Sequence, residues 1–256
     1  MKKPRKQTKR LINELINLRK SRKSIDEFNF NFLLNFCENC RLMHEHLNKN
    51  FFSEDLFKIA YRQYFVFLVS CWETFFRDMF VYIHSSDEQS INDLIKKMKI
   101  DNDSIRLKNI TLPELLSKSF NFQNKKDLES AYNNIWGSNF LNYVCDTKIE
   151  FCGLNGKFTK NFSVKSLFPD WRKITDKTFD IRHKVVHDAN YRPKIDTNLI
   201  QKSEALFLLI PQLVTYFAAI RFKLKQLILS NGEYAVPYVF SVKDILSDDW
   251  VVVEKK

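Results

Sequence analysis

An apolar stripe with helical spacing between residues 65 and 83 is the feature that most limits the fold of this chain. Its members recur at i, i+3, i+4 and i+7, the spacing that places side chains on one face of a core-facing helix. They are Phe65, Leu68, Val69, Trp72, Phe75, Phe76, Met79, Phe80 and Ile83. A second stripe is formed by Phe30, Leu33, Leu34, Cys37, His44 and Leu47. Two long amphipathic helices are therefore predicted.

The composition favours helices for the rest of the chain as well. The 256 residues include only 4 Gly and 6 Pro, which argues against an all-β protein with its many Gly- and Pro-rich turns. The 24 Phe and 4 Trp supply ample material for a packed core. An all-α fold is predicted.

Further helices are marked by their ends. Thr111 and Glu114 form a capping-box pattern that opens one helix, and the stretch from Asp127 to Trp136 closes on Gly137. Residues 90–99 predict a shorter helix. Residues 138–168 interrupt the helical pattern, and two short apolar pieces there flank Asn155-Gly156, a typical hairpin turn. A small β-hairpin or irregular insertion is predicted at 138–168.

The last third of the chain predicts two more helices. One runs from Pro169 or Asp170 to about His187, and the other from an Asp196 cap to Leu229, with Pro211 expected to kink it. Its apolar part, residues 205–220, is shorter than the roughly 20 residues of a membrane span, so a buried core helix is predicted. The tail from residue 233 predicts either strands laid on the helices or a loosely held segment.

Positive charge is concentrated at the amino terminus. Residues 1–24 contain ten Lys or Arg and one Glu, which leaves only +2 of the net charge of +11 for the rest of the chain. Apolar residues interrupt this run with near-helical spacing: Leu11, Ile12, Leu15, Ile16 and Leu18. Residues 8–20 therefore predict a short amphipathic helix with a cationic face. Three roles are open for it: binding of phosphates, docking on a membrane surface, or packing on the domain.

The predicted organisation is a basic arm at 1–24, a helical domain at 25–232 and a tail at 233–256. The five cysteines are an odd number, which favours reduced thiols and an intracellular setting. Polar residues break up the apolar segment after the basic start, so no signal peptide is predicted. We expect a cytoplasmic protein that does not cross a membrane.

The six residues from Arg182 to His187 form the motif whose side chains are best suited to catalysis. On a helix, His183 and His187 share a face, whereas Arg182 needs its long side chain to reach the same point. Val185 and Val186 are expected to pack inward, with Ile181 anchoring the helix. Imidazoles can act as acid or base near neutral pH, and arginine can grip two phosphate oxygens. This set suits phosphodiester cleavage.

Arg182, four residues and then His187 resemble the R-x(4–6)-H signature of the HEPN superfamily, with a polar residue, His183, directly after the arginine. The helix around residues 70–78 is similar to the long HEPN helix that carries an acidic residue near the motif, and Glu73 is the candidate for that role. The resemblance implies an HEPN-like helical bundle of the RiboL-PSP-HEPN kind. It also implies a homodimer with both motifs lining one cleft, which cuts RNA without a metal.

Two metal sites are the competing interpretations. The i, i+4 pair His183 and His187 has zinc-ligand spacing, but Lys184 stands where zinc hydrolases of this type carry their glutamate. Cys37 and Cys40, followed by His44 and His46, form the second, although Cys37 and His44 also belong to an apolar stripe. No cofactor and no metal are predicted, and packing in the core is the preferred explanation of the cysteines.

The sequence therefore predicts a metal-independent endoribonuclease, by resemblance a toxin or antiphage-defence effector. Arg182, His183 and His187 are the candidate catalytic residues, and Glu73 is the supporting one. RNA is the expected partner, with an antitoxin or other regulatory partner as a further expectation. The rival is a non-catalytic HEPN-like module that binds RNA or protein. The candidate RNA-binding residues are Lys2, Lys3, Arg5, Lys6, Lys9, Arg10 and Lys184.

Overall fold

Helices form most of the part of the chain that the structure describes. The computed structural model describes residues 25–49, 53–86, 111–137, 139–152, 158–188, 190–222, 228–231, 234–237 and 239–247. The helices are α1 (Ile25–Lys49), α2 (Glu54–Ser86), α3 (Leu112–Ser117), α4 (Lys125–Trp136), α5 (Phe140–Asp146), α6 (Val164–Leu167), α7 (Trp171–His187), α8 (Thr197–Phe222) and α9 (Val242–Leu246). The strands are β1 (Ile149–Cys152), β2 (Phe158–Phe162), β3 (Ile228–Asn231) and β4 (Tyr234–Pro237). The predicted all-α fold is confirmed.

The long helix α2 is the centre of the bundle. Helices α1, α3, α4, α7 and α8 all pack against it. Its apolar stripe supplies the contacts, and Trp72, which is 1% exposed, lies in the middle. The Trp72 ring lies 4.6 Å from the ring of Phe207 on α8 and 5.9 Å from that of Phe179 on α7, measured between centroids. One side chain therefore joins three helices.

Polar contacts fix the position of α7 between α2 and α8. The buried hydroxyls of Thr178 on α7 and Ser203 on α8 are hydrogen-bonded at 2.7 Å. At the other end, the Tyr61 hydroxyl of α2 lies against the chain between α7 and α8, at the Lys194 carbonyl. Since Tyr61 meets residue 194 and Trp72 meets residue 179, α2 and α7 run antiparallel.

A buried carboxylate joins α8 to α1 and α2. Glu204 is 1% exposed and accepts a hydrogen bond of 2.6 Å from the Tyr64 hydroxyl. The His44 Nε2 atom lies 3.0 Å from the other Glu204 oxygen. That hydrogen bond raises the pKa of the His44 imidazole, so the pair is an ion pair at mildly acidic pH. Burial raises the pKa of the Tyr64 hydroxyl well above its usual range.

The predicted helix ends are confirmed at three places. The Thr111 backbone and hydroxyl both donate to the Glu114 carboxylate at the start of α3. Helix α4 ends before Gly137, whose φ of 84° lies in the left-handed region that favours glycine. Asp196 accepts a hydrogen bond from the Leu199 backbone at the start of α8.

The insertion at 138–168 contains the predicted hairpin. Strands β1 and β2 are antiparallel, with an irregularity between Ile149 and Phe151. The chain also forms α5 and α6 here, which the sequence pattern did not indicate. They have 7 and 4 residues, so each is too short to show a helical period.

The prediction of a helix continuing to Leu229 is wrong at its end. Ile228 and Leu229 belong to β3, which pairs with β4, so that Leu229 lies opposite Val236. A downstream apolar strand therefore replaces the helical continuation. The chain then packs on the bundle, because the Gln212 side chain of α8 donates to the Phe240 carbonyl and accepts from the Phe240 backbone N–H. The tail thus contains one of the predicted strands, β4, and also the helix α9, which was not predicted.

Several predictions fall on residues outside the described ranges. These are the arm at 1–24, the helix at 90–99, the Asn155-Gly156 turn and the apolar piece at 250–253. The predicted domain boundaries also stay predictions.

Helix α8 is long and apolar enough to cross a membrane by length and composition. Within the described residues it is the one helix that meets this test, and 72% of its most apolar window is buried inside the protein. The prediction of a buried core helix is confirmed.

Replacement of Trp72 tests whether its contacts with α7 and α8 stabilise the bundle. We expect Trp72→Ala to lower the free energy of unfolding by about 3–5 kcal/mol, because it leaves a large cavity. Trp72→Phe should cost clearly less, because it keeps a ring and removes an indole N–H that is buried without a partner among the described residues. Urea unfolding measures the loss in each variant, and equal losses would contradict the role of the aromatic contacts of residue 72.

The His44 and Glu204 pair should make stability depend on pH. Because the folded-state pKa of His44 is raised, its contribution is fully present below the unfolded pKa of about 6.5 and is lost as pH rises through the folded value. We expect His44→Gln to cost more unfolding free energy at about pH 6 than at about pH 8.5. The exposed His183→Gln is the matched control. An equal cost at both pH values would show that the His44–Glu204 ion pair does not stabilise the fold.

Candidate functional site

The Arg182 to His187 motif lies at the end of α7, as predicted. The helix ends at His187, and the Asp188 backbone N–H donates to the Lys184 carbonyl at 2.8 Å. Ile181 and Val185 are buried on the opposite face and hold this end of the helix on the bundle. The motif therefore lies on a rigid element, with its last turn reaching beyond the core.

The two histidines of the motif are neighbours in space. The ring centroids of His183 and His187 lie 4.5 Å apart, with their planes tilted by 48°. Both side chains are exposed. A single phosphodiester placed beside this pair can contact both imidazoles, one near the attacking oxygen and the other near the leaving oxygen.

Arg182 lies on a different side of the same turn. It is half-buried, and its Nε atom is buried with no hydrogen-bond partner among the described residues. No carboxylate in the described part of the chain pairs with it. Its charge is therefore not neutralised by an ion pair there, which is the condition for binding a phosphate.

Lys184 is exposed but has partners within the protein. Its Nζ atom lies 2.7 Å from an Asp180 oxygen and 5.7 Å from the centre of the Tyr191 ring. The hydrogen bond to Asp180 raises the pKa of Lys184, which keeps it charged. Exposed ion pairs of this kind are weak, so a phosphate can compete with Asp180.

One packing prediction in the motif is wrong. Val185 is 8% exposed and Ile181 is 4% exposed, as predicted, but Val186 is 47% exposed. Val186 lies on the same helical face as Phe179, seven residues further along, where the helix has passed the core. The exposed Val186 thus adds an apolar side chain to the surface that carries the histidines.

The chain after the motif is held in a fixed path. The Asp188 carboxylate accepts a hydrogen bond of 2.8 Å from the Asn190 backbone. The Tyr61 hydroxyl accepts one from the Asp196 backbone and donates to the Lys194 carbonyl. Sequence reasoning missed Tyr61 as a positioning residue, although a tyrosine in the apolar half of α2 was a usable signal.

Glu73 is not in contact with the motif residues in the described structure. One carboxylate oxygen binds Arg77 and the other binds the side chain of Gln123. It lies next to Trp72, one helical turn beyond the part of α2 that runs alongside the motif. Glu73 therefore ties α2 to the turn before α4, and its role beside the motif stays a prediction.

The cysteines of the second competing metal site lie in the core, as the preferred explanation predicted. Cys37 and Cys40 are 3% and 0% exposed. Cys37 donates to the Ile245 carbonyl, and His44 is bound to Glu204. The side chain of His46 is outside the described part. Within that part, no cluster of three or more His, Cys, Asp or Glu could hold a metal ion.

The fold and the motif define an all-α domain of the HEPN type. The family model RiboL-PSP-HEPN matches residues 39–220, a span that includes α2, α7 and the motif, and the chain belongs to this family. A search of curated proteins and a search of solved structures each found no match. Membership in a HEPN family suggests a ribonuclease-type domain or an RNA-binding module.

Proposed function

We propose that this protein is a metal-independent endoribonuclease whose catalytic groups are Arg182, His183 and His187. The observation that carries the proposal is the pair of exposed imidazoles, 4.5 Å apart, on the same helical turn as an arginine without a paired carboxylate in the described structure. Membership in the RiboL-PSP-HEPN family supports the same chemistry.

The proposed reaction uses the ribose itself as the nucleophile. One imidazole, which we assign to His187, takes the proton of the 2′-hydroxyl as its oxygen attacks phosphorus. The bond to the 5′ oxygen breaks, and the second imidazole, His183, protonates that leaving oxygen. The products are a 2′,3′-cyclic phosphate and a 5′-hydroxyl. Exchange of the two roles between the histidines gives the same products.

Arg182 is proposed to bind the charge that builds up during the attack. The phosphorane carries more negative charge on its non-bridging oxygens than the diester does. A guanidinium placed there stabilises the transition state more than the ground state. Because its Nε end is buried, its position is restricted, and the exposed part of the fork is left for the phosphate.

A second copy of the chain is part of the proposal. His183, Val186 and His187 lie on an open helical surface, which by itself does not surround a substrate or exclude water. A partner protomer packed against this surface would cover Val186 and place two motifs around one cleft. We therefore expect gel filtration to give the mass of a dimer, and Val186→Glu to give a monomer with reduced cleavage.

The basic arm is proposed to raise affinity for RNA. Its cations contact phosphates without regard to sequence, and Lys184 adds one at the motif. A role as a toxin or antiphage-defence effector, restrained by an antitoxin or another regulator, is the biological part of the proposal and is supported by the HEPN membership. Arrest of growth on induction of the wild type, but not of His187→Ala, would support it.

Cleavage of purified RNA in excess EDTA tests the chemistry. We expect the wild type to leave 2′,3′-cyclic phosphate ends. His187→Ala or Arg182→Ala should slow cleavage by about 100-fold or more, because each loses a group that acts on the phosphodiester. Arg172→Ala is the matched control, since Arg172 is an exposed arginine at the start of the same helix.

The mutants also distinguish the binding module. Variants that fold, dimerise and bind RNA as the wild type does, but do not cut it, establish the enzyme. Cleavage that is unchanged by His187→Ala would exclude the proposed roles, and so would cleavage that EDTA abolishes. A wild type that binds RNA and leaves it intact with EDTA or with added divalent ions would favour the module.

A further inference from the structure

A groove runs along the surface between α1 and α2. Its volume is about 710 Å³, and it is bordered by Leu34 and Asn35 on α1 and by Phe67 on α2. A smaller cavity of about 140 Å³, lined by Leu42 and again by Phe67, continues it along the same helix pair. Phe67 is 45% exposed and Leu42 is 53% exposed, so the groove presents large apolar side chains to solvent.

The polar residues of this α1–α2 groove are acidic or neutral. Glu38 adds an exposed carboxylate and Asp78 a buried one, and Asn31, Asn35 and Asn39 form a row of amides one helical turn apart. No lysine or arginine is among its described lining residues. A surface of this kind repels a polyanion such as RNA and suits an apolar segment with positive charge beside it.

We propose that residues 8–18 of the chain's own basic arm bind in the α1–α2 groove. This segment combines the two properties that the groove requires. If the segment forms a helix, its spacing would place Leu11, Leu15 and Leu18 on one face, with two isoleucines beside them. Lys9 and Arg10 come before the leucines in the sequence and Arg19 and Lys20 after them, so both ends of the segment carry positive charge that complements the acidic groove.

The connection between arm and groove has a suitable length. Residues 19–24 join the segment to Ile25, the first residue of α1, and six residues reach about 20 Å when extended. Asn31, at the near end of the groove, lies about 9 Å along α1 from Ile25. The eleven residues 8–18 span about 16 Å as a helix, close to the length of α1 between Asn31 and Leu42.

The tether makes this contact effective although the segment is short. A helix of eleven residues is marginal in water by itself and gains stability only when its apolar face is covered. A short flexible connection gives an effective concentration in the mM range, so even a weak contact is occupied. Docking of residues 8–18 would leave Lys2, Lys3, Arg5 and Lys6 outside the groove.

Hydrogen exchange of the full-length protein tests this proposal. We expect the amides of residues 11–18 to exchange about tenfold or more slowly than in an unstructured chain. Phe67→Glu should remove this protection, because it puts a carboxylate into the apolar floor. Ile59→Glu is the matched control on the same helix, since Ile59 is 51% exposed and does not line the groove.

A second variant guards against an effect on folding. Leu15→Glu changes the arm and leaves the bundle intact, and it should remove the same protection while the amides of α8 stay protected. Fast exchange of residues 11–18 in the wild type, or protection that survives Phe67→Glu, would overturn the proposal. So would protection that is lost on dilution, which would assign the groove to the arm of a second copy, or protection that appears only when RNA is added.

Discussion

The contact of the Trp72 ring with Phe207 and Phe179 is the interaction on which the rest of the structure depends. It joins the central helix α2 to α8 and to the motif helix α7. Since large aromatic side chains bury more surface than any others, this contact contributes strongly to the core. The motif begins only three residues after Phe179, so the orientation of α7 at the site follows from the position of Trp72.

The site combines firm support with an open surface. Thr178 and Tyr61 hold α7 and the chain that follows it by hydrogen bonds, whereas His183 and His187 point away from the bundle. A single domain gains little by displaying rigid, exposed imidazoles beside an exposed valine. The arrangement is understandable if a substrate and a second protomer cover that surface, because catalysis requires both restricted side chains and exclusion of water.

Regular periodicity and capping residues made most of the fold predictable. The bounds of α7 and the Asp196 cap of α8 followed from residues within one helical turn of each end. The exposure of Val186 was not predictable, because periodicity indicates which face of α7 is buried but not where along α7 the neighbouring helices end. Ile228 and Leu229 were assigned to the wrong element because a strand is defined by its pairing with another strand, which the periodicity of its own residues does not show. The motif was predictable from spacing, whereas the partners of Glu73, on α2 and before α4, were not.

The two hydrogen bonds between the Gln212 amide and Phe240 connect the part of the chain that matches the family to the part that does not. The family match ends at residue 220, so Phe240 lies beyond the shared part. Yet the amide of Gln212, inside the match, satisfies both backbone groups of Phe240 as a neighbouring strand would. The segment beyond the family match is therefore bound by a side chain within the match. An exchange of carboxyl-terminal segments between family members would have to carry residue 212 with it.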